Sequence, residues 1–459
     1  MQNRPNILYI HSHDTGRYIQ PYGYALKTPA LQRFAEEGVM FRQAFCANPT
    51  CSPSRAALLT GQYAHSCGML GLAGKRGGRL NDYQQHLSHY LRGQGYATAL
   101  SGIEHEAPQS AAKEVLGYDR FLNDDWPSWA DSFLKWNEFY AESAAAYIRD
   151  ADLDKPFFLS CGFSLTHRMG PGEQWHTSEK AAEPLGDPRY VRPPAPLPDT
   201  PETRRDFADY AVAVGHLDEN IGRILTALES SGQADNTLVI ITTDHGIAYP
   251  MMKCNLTDHG TGVLLLLRGP QGFVGGQVVD ALASHVDLFP TICEVAELTP
   301  PDWLQGVSLA PLVNGRAVSV RDEVFAEVNW HGVAEPMRSV RTSRYKYIRR
   351  YLTRRGSDNC DGSVSRILLR QCGWDTRPVP VESLFDLVFD PNEADNLVGD
   401  PAHAEVLAGM RSRLERWMKE TNDPALTGRI EPKPGMLLSA GDKDLPHGKP
   451  IPAETIFLS

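Results

Sequence analysis

The sequence predicts an α/β protein with a large amino-terminal unit and a smaller carboxyl-terminal one. Three observations lead there. Apolar runs of strand length recur at Asn6–His11 (NILYIH), Gly95–Leu100 (GYATAL), Pro156–Ser164 (PFFLSCGFS) and Thr237–Thr243 (TLVIITT). Such runs read as buried strands of the parallel type, and stretches of helical pattern separate them. Beyond the charged turn Asn314–Arg321, the segments Glu323–Val328, Met337–Thr342, Lys346–Tyr351 and Glu382–Phe389 alternate or cluster as antiparallel strands do. Finally, 459 residues exceed one small core and suffice for two units. The expected division is 1–315 and 316–459, the second an α+β unit covered by an amphipathic helix at Ala402–Lys419.

Composition narrows the function classes. Hydrophobic residues make up 42% and charged ones 22%, the balance of a globular domain. A formal net charge of -11 argues against nucleic acid as a partner and requires a local basic pocket for any anionic substrate. Eight cysteines over this length are too few for a disulfide scaffold. No apolar stretch reaches membrane-spanning length, so no membrane partner is expected. The start Met1-Gln2-Asn3-Arg4-Pro5 lacks a signal-peptide pattern, so a cytoplasmic location is expected unless a leader has been removed.

Taken in order, the strand Asn6–His11 runs into Ser12-His13-Asp14-Thr15-Gly16. Polar residues just past the carboxyl end of a buried strand stand where open α/β sheets place ligands, although an aspartate before glycine is equally a turn residue. A helix from Thr28 to Glu37 stops at Gly38, and Val39–Phe45 is strand-like. Cys51-Ser52-Pro53-Ser54-Arg55 then stands at the mouth of a helix, Ser54–Thr60, with Pro53 suited to its first turn and Gly61 as its stop. Cys51 faces the positive helix end, and Arg55, one turn on, can reach back to the same point. That pairing suits a tetrahedral oxyanion. His65 reads as structural.

Gln84–Gln94 is helical, and the strand after it ends in Ser101-Gly102-Ile103-Glu104-His105-Glu106. The aromatic helix Asp131–Arg149 reads as core. The strand Pro156–Ser164 closes on Leu165-Thr166-His167-Arg168, and Gly170–Pro201 is a Pro/Gly-rich loop that could wall a site. A long helix, Glu202–Ser231, precedes Thr237–Thr243 and Asp244-His245-Gly246. Carboxylates gathered from two strands repel unless a cation lies between them. Lys253 follows before the strand Val263–Leu267, where it is either an anion contact or a solvated charge.

Cys-x-Pro-Ser-Arg followed by Thr60-Gly61 resembles the signature of the type I sulfatases, and the sulfamidase-like members of that family most of all. Asp244-His245-Gly246-Ile247, Pro336-Met337-Arg338-Ser339-Val340 and Asp390–Leu397 extend the likeness along the chain. It implies an alkaline-phosphatase-like fold, a mostly parallel sheet sandwiched by helices, with a smaller antiparallel-sheet domain. It implies that Cys51 is oxidised by a maturation enzyme to formylglycine, the nucleophile and a neighbour of the metal. It implies one divalent cation held by Asp14, Asp244, His245 and, departing from the family's usual acid, His13. Calcium is the family's ion; two imidazoles would favour manganese or zinc. Arg55 and Lys253 would neutralise the sulfuryl group, His167 would protonate the leaving atom and His105 would assist release. The family usually carries Gly-Lys-x-His where this chain has Gly102-Ile103-Glu104-His105, so Arg168 and Arg338 are candidate substrate-binding replacements for the missing lysine. The implied substrate is a small sulfated sugar or oligosaccharide. A phosphonate or phosphate ester hydrolase, an enzyme using the bare thiol and a non-catalytic sulfated-glycan-binding protein remain alternatives.

Overall fold

The apolar runs become strands of one central sheet in the computed structural model, which describes residues 4–124, 126–128, 132–152, 155–169, 174–175, 186–352, 359, 361–427, 430–439 and 450–452. In chain order the strands are β1 (Asn6–Ser12), β2 (Val39–Phe45), β3 (Ala97–Gly102), β4 (Arg120–Phe121), β5 (Phe157–Gly162), a short ladder of β6 (Arg168–Met169) and β7 (Gln174–Trp175), then β8 (Thr237–Thr243), β9 (Leu265–Arg268) and β10 (Gln277–Ser284). Eight of them form the main sheet in the order β10-β2-β9-β8-β1-β5-β3-β4. Neighbours are parallel except around β9, which runs antiparallel to both β2 and β8.

Burial on both faces explains why these strands read as continuous apolar runs. Along β1, Leu8 and Ile10 pack under the helices Phe133–Arg149 and Pro201–Ser230. Ile7 and Tyr9 point the other way, toward Leu58 and Leu59 of the helix Cys51–Thr60 and toward Phe289 and Ile292. The strand period of two thus feeds two helical layers. The long helix begins one residue earlier than expected because Thr200 caps it and Pro201 occupies its first turn.

After a short helix at Ala310–Val313, the chain enters a second, antiparallel sheet of β11 (Glu323–Trp330), β12 (Ala334–Thr342), β13 (Tyr345–Arg350) and β14 (Glu382–Asp386). The helix Ala404–Glu420 covers it, with Trp417 stacked on Phe325 at 4.9 Å. Of the expected loop Gly170–Pro201, residues 170–173 and 176–185 lie outside the described residues, as does Asp131. Among the described residues, no helix is long and apolar enough to cross a membrane.

Candidate active site

The carboxyl ends of β1, β3, β5 and β8 converge on the amino terminus of the helix Cys51–Thr60. β1 delivers His13 and Asp14. Asp14 adopts a left-handed φ of 53° and donates its backbone N–H to Asp244 Oδ1 at 2.8 Å. β8 delivers Asp244 and His245. His245 Nδ1 meets the Gly246 carbonyl at 3.0 Å, which leaves Nε2 to face the site. Cys51 is the first residue of its helix, one turn earlier than Ser54, and its Sγ lies 3.5 Å from His245 Nε2. Ser54 secures the junction by donating its hydroxyl to the Asp244 carbonyl.

Asp14, Cys51, Asp244 and His245 offer ligand atoms within 4.8 Å of one another, and so do His13, Asp14, Cys51 and His167. His13 Nδ1 is 2.8 Å from Asp244 Oδ2, and His245 Nε2 is 3.3 Å from Asp14 Oδ1. Yet buried His13 Nδ1 and Asp14 Oδ1 make no hydrogen bond. Buried polar atoms are nearly always satisfied. Nitrogen and oxygen atoms gathered this closely would suit ligands around one divalent cation. The electrostatics agree. Burial opposes charge on both imidazoles, but Asp244 outweighs it and pushes His13 up to about 10. Asp244 and Asp14 likewise push His245 up to about 9. The carboxylate pair is a sink for positive charge.

Cys51 sits in an activating field. Burial would raise its thiol, but Lys253, together with hydrogen bonds to His105, His13 and His167, holds it well below the ordinary range. Lys253 Nζ lies 2.9 Å from Asp14 Oδ2, and its segment is tied to the nucleophile loop by the Cys254 N–H donating to the Pro49 carbonyl. The rings of His105 and His167 stand 4.9 and 5.0 Å from that of His13. The His167 ring is 29% exposed while His13, Asp14, Asp244 and His245 are sealed, so the site opens on its side. Ile103 packs against the apolar core, so no cation stands where a lysine would be expected.

Three arginines expected to face the substrate spend their hydrogen bonds elsewhere. Arg55 is within electrostatic range of Cys51, but it is fully buried, contacts His11 and bonds Asp244 Oδ2 and the Ser12 carbonyl, each at 3.1 Å, so it braces Asp244. Arg168 does not line an open cleft. Its Nη2 pairs with Asp206 at 2.8 Å, its Nε donates to the Ala248 carbonyl, and its guanidinium lies 3.8 Å over Trp175. Arg338 does not meet a sugar. It is buried against Asp423 and within 3.5 Å of Glu327, which also holds His65 at 2.9 Å. The physical reason is common: a desolvated guanidinium must face a carboxylate.

Arg338→Ala leaves buried Asp423 and Glu327 with His65 alone and is expected to cost about 3–5 kcal/mol, read by chemical denaturation, while KM for the substrate stays unchanged. A raised KM without lost stability would restore the substrate role. Burial would raise Glu327, but His65 and Arg338 hold it down to about 2. A depressed folded-state value means that this stabilisation is complete above the ordinary glutamate range and is lost as pH falls toward 2.

Asp361 is the site residue that sequence reading missed: its carboxylate lies 2.8 Å from Lys253 Nζ. A single acid in a polar segment carries no signal of that contact.

Fold and site define a hydrolase of the alkaline-phosphatase-like class. The family model described as Sulfatase matches residues 5–298, and the one described as N-sulphoglucosamine sulphohydrolase, C-terminal, matches residues 252–361. The human N-sulphoglucosamine sulphohydrolase is 29% identical, over 87% of each chain. An ulvan-active sulfatase of Formosa agariphila is 28% identical, covering 93% of this chain and 76% of that protein. The structure of a 2-O GAG sulfatase superposes with a TM-score of 0.71 at 22% identity, covering 94% of this chain and 95% of that one. A phosphonate monoester hydrolase of Agrobacterium radiobacter superposes at 0.66, with 22% identity and coverage of 91% and 96%. The chain belongs to the sulfatase family and is a sulfuric ester hydrolase.

Proposed function

We propose that this enzyme removes a sulfate ester or sulfamate group from a sulfated sugar, with formylglycine made from Cys51 as nucleophile and one divalent cation. The observation that carries the reading is Cys51 at a helix amino terminus, among two carboxylates and two imidazoles with unsatisfied buried atoms. Asp14, Asp244, His245 and His13 would hold the cation, which supplies Lewis acidity at a sulfate oxygen. As formylglycine, residue 51 supplies two hydroxyls on one carbon, one to attack sulfur and one to expel sulfate. Lys253 neutralises charge at the sulfuryl oxygens. His167, on the open side, gives a proton to the leaving oxygen or nitrogen. His105, kept neutral by burial and bonded to Cys51, accepts a proton there.

The match of the carboxyl-terminal model and the human relative support a sulfamidase-like substrate. Turnover of matured protein on a panel of N- and O-sulfated sugars tests this. A second reading, phosphonate or phosphate ester hydrolysis, draws on the cation missing at Ile103 and the shared fold of the phosphonate monoester hydrolase; faster turnover of such esters would favour it.

Two imidazoles beside two carboxylates suit manganese or zinc better than calcium, which prefers six or more oxygen ligands. Elemental analysis of purified protein is expected to find a transition metal near one per chain. Calcium alone would remove His13 from the ligand set.

A further inference from the structure

Between β13 and β14, the side chains of Asn359, Asp361 and Ser365 each meet a part of the chain distant in sequence. Asn359 is buried. Its Oδ1 accepts the N–H groups of Gly332 and Val333 at 2.9 and 2.8 Å, and its Nδ2 donates to the Val333 carbonyl and to Glu335. Ser365 donates to Asp206 Oδ2 at 2.6 Å, the same carboxylate that pairs with Arg168 beside His167. Between these anchors, Asp361 meets Lys253. Lys253 is 1% exposed and stands between two carboxylates, Asp14 Oδ2 at 2.9 Å and Asp361 Oδ2 at 2.8 Å.

An ammonium has three protons and no preferred direction of its own. With Asp14 as its one carboxylate, it would swing onto that side chain and compete with a cation for the same oxygen. A second carboxylate on the other side, Asp361 Oδ2 at 2.8 Å, balances the pull of Asp14 and holds the ammonium between the two. We infer that Asp361 is a positioning residue: through a carboxylate clamp on Lys253, the carboxyl-terminal half of the chain aims the lysine at the tetrahedral oxyanion of the substrate. The inference rests on the sulfuryl-transfer reading above for the identity of that oxyanion, but not for the geometry of the clamp. It also gives Arg168 a function in place of substrate contact, since the Arg168–Asp206–Ser365 chain secures one end of the same segment.

The test is a double-mutant cycle with Asp361→Asn and Lys253→Ala in the full-length, matured protein. Asp361→Asn is expected to lower kcat about 10–100-fold with KM within about threefold, because the lost contact belongs to the reacting group. In the Lys253→Ala background the same change is expected to cost less than about twofold, since a residue acting only through Lys253 has nothing left to act on. A general structural role would instead multiply the two losses. The cycle is repeated with inorganic sulfate as a calorimetric probe, where Asp361→Asn weakens binding only while Lys253 is present. Asp361→Ser gives the same reading should the amide variant fail to accumulate. Multiplicative losses, or wild-type kcat in Asp361→Asn, overturn the clamp. Lack of turnover on every sulfated sugar overturns the functional reading alone, because the sulfate-binding cycle still decides the clamp. Failure of the wild-type protein to bind sulfate overturns both.

Discussion

Replacing Asp244 by asparagine is expected to empty the proposed cation site and to lower turnover by about three to four orders of magnitude. No other side chain of the site carries so many partners. Its Oδ1 accepts the backbone N–H groups of Asp14 and His245 at 2.8 and 2.9 Å, and its Oδ2 faces Arg55 and His13 at 3.1 and 2.8 Å. Asparagine can keep the acceptor contacts through its carbonyl oxygen but carries no charge. The negative charge that draws a cation, and that keeps His13 and His245 protonated in its absence, is halved. Either substitution takes the carboxylate from buried Arg55, at a cost of about 3–5 kcal/mol, but asparagine keeps an acceptor for the Asp14 and His245 N–H groups. Elemental analysis is expected to find the asparagine variant metal-free while circular dichroism finds it folded. Full metal occupancy in that variant would show that Asp244 is not a ligand.

Cys51→Ala is expected to lose about four to six orders of magnitude in kcat while staying folded and keeping its metal. The side chain is small and its polar contacts are all to the imidazoles around it, His245 Nε2 among them at 3.5 Å, so packing changes little. The ligands His13, Asp14, Asp244 and His245 remain in place. The proposed nucleophile is what this substitution removes, and with it the gem-diol that would take the sulfuryl group and release sulfate. Peptide mass spectrometry of wild-type protein co-produced with a maturation enzyme is expected to find the aldehyde at position 51. An alanine variant with more than a hundredth of wild-type turnover, or a free thiol alongside full activity, would end this assignment.

Much of this site was legible because its residues sit beside their own secondary-structure signals. His13 and Asp14 follow the apolar run Asn6–His11, Asp244 and His245 follow Thr237–Thr243, and Cys51 opens a helix marked by Pro53 and Gly61. A buried strand declares its end, and chemistry just past that end is placed by the fold class itself. The strand runs are legible for the same reason, since burial on both faces leaves them no polar alternation. Their direction is not: β9 is as apolar as its parallel neighbours, and nothing in LLLR says that it runs against them.

The sequence by itself determined the elements, the family resemblance and the candidate nucleophile and cation ligands of this enzyme, because each is written in residues next to one another. Only the tertiary structure decided the duties of the buried cations. Arg168 turned from the cleft to Asp206, 38 positions away, and Arg338 to Asp423, 85 positions away, while Arg55 turned to Asp244 and Lys253 took Asp361 as its second carboxylate. Local pattern cannot announce such pairings. A charge taken out of water is held by whichever opposite charge the fold brings within about 3 Å, and that neighbour is chosen by the packing of segments far apart in the chain.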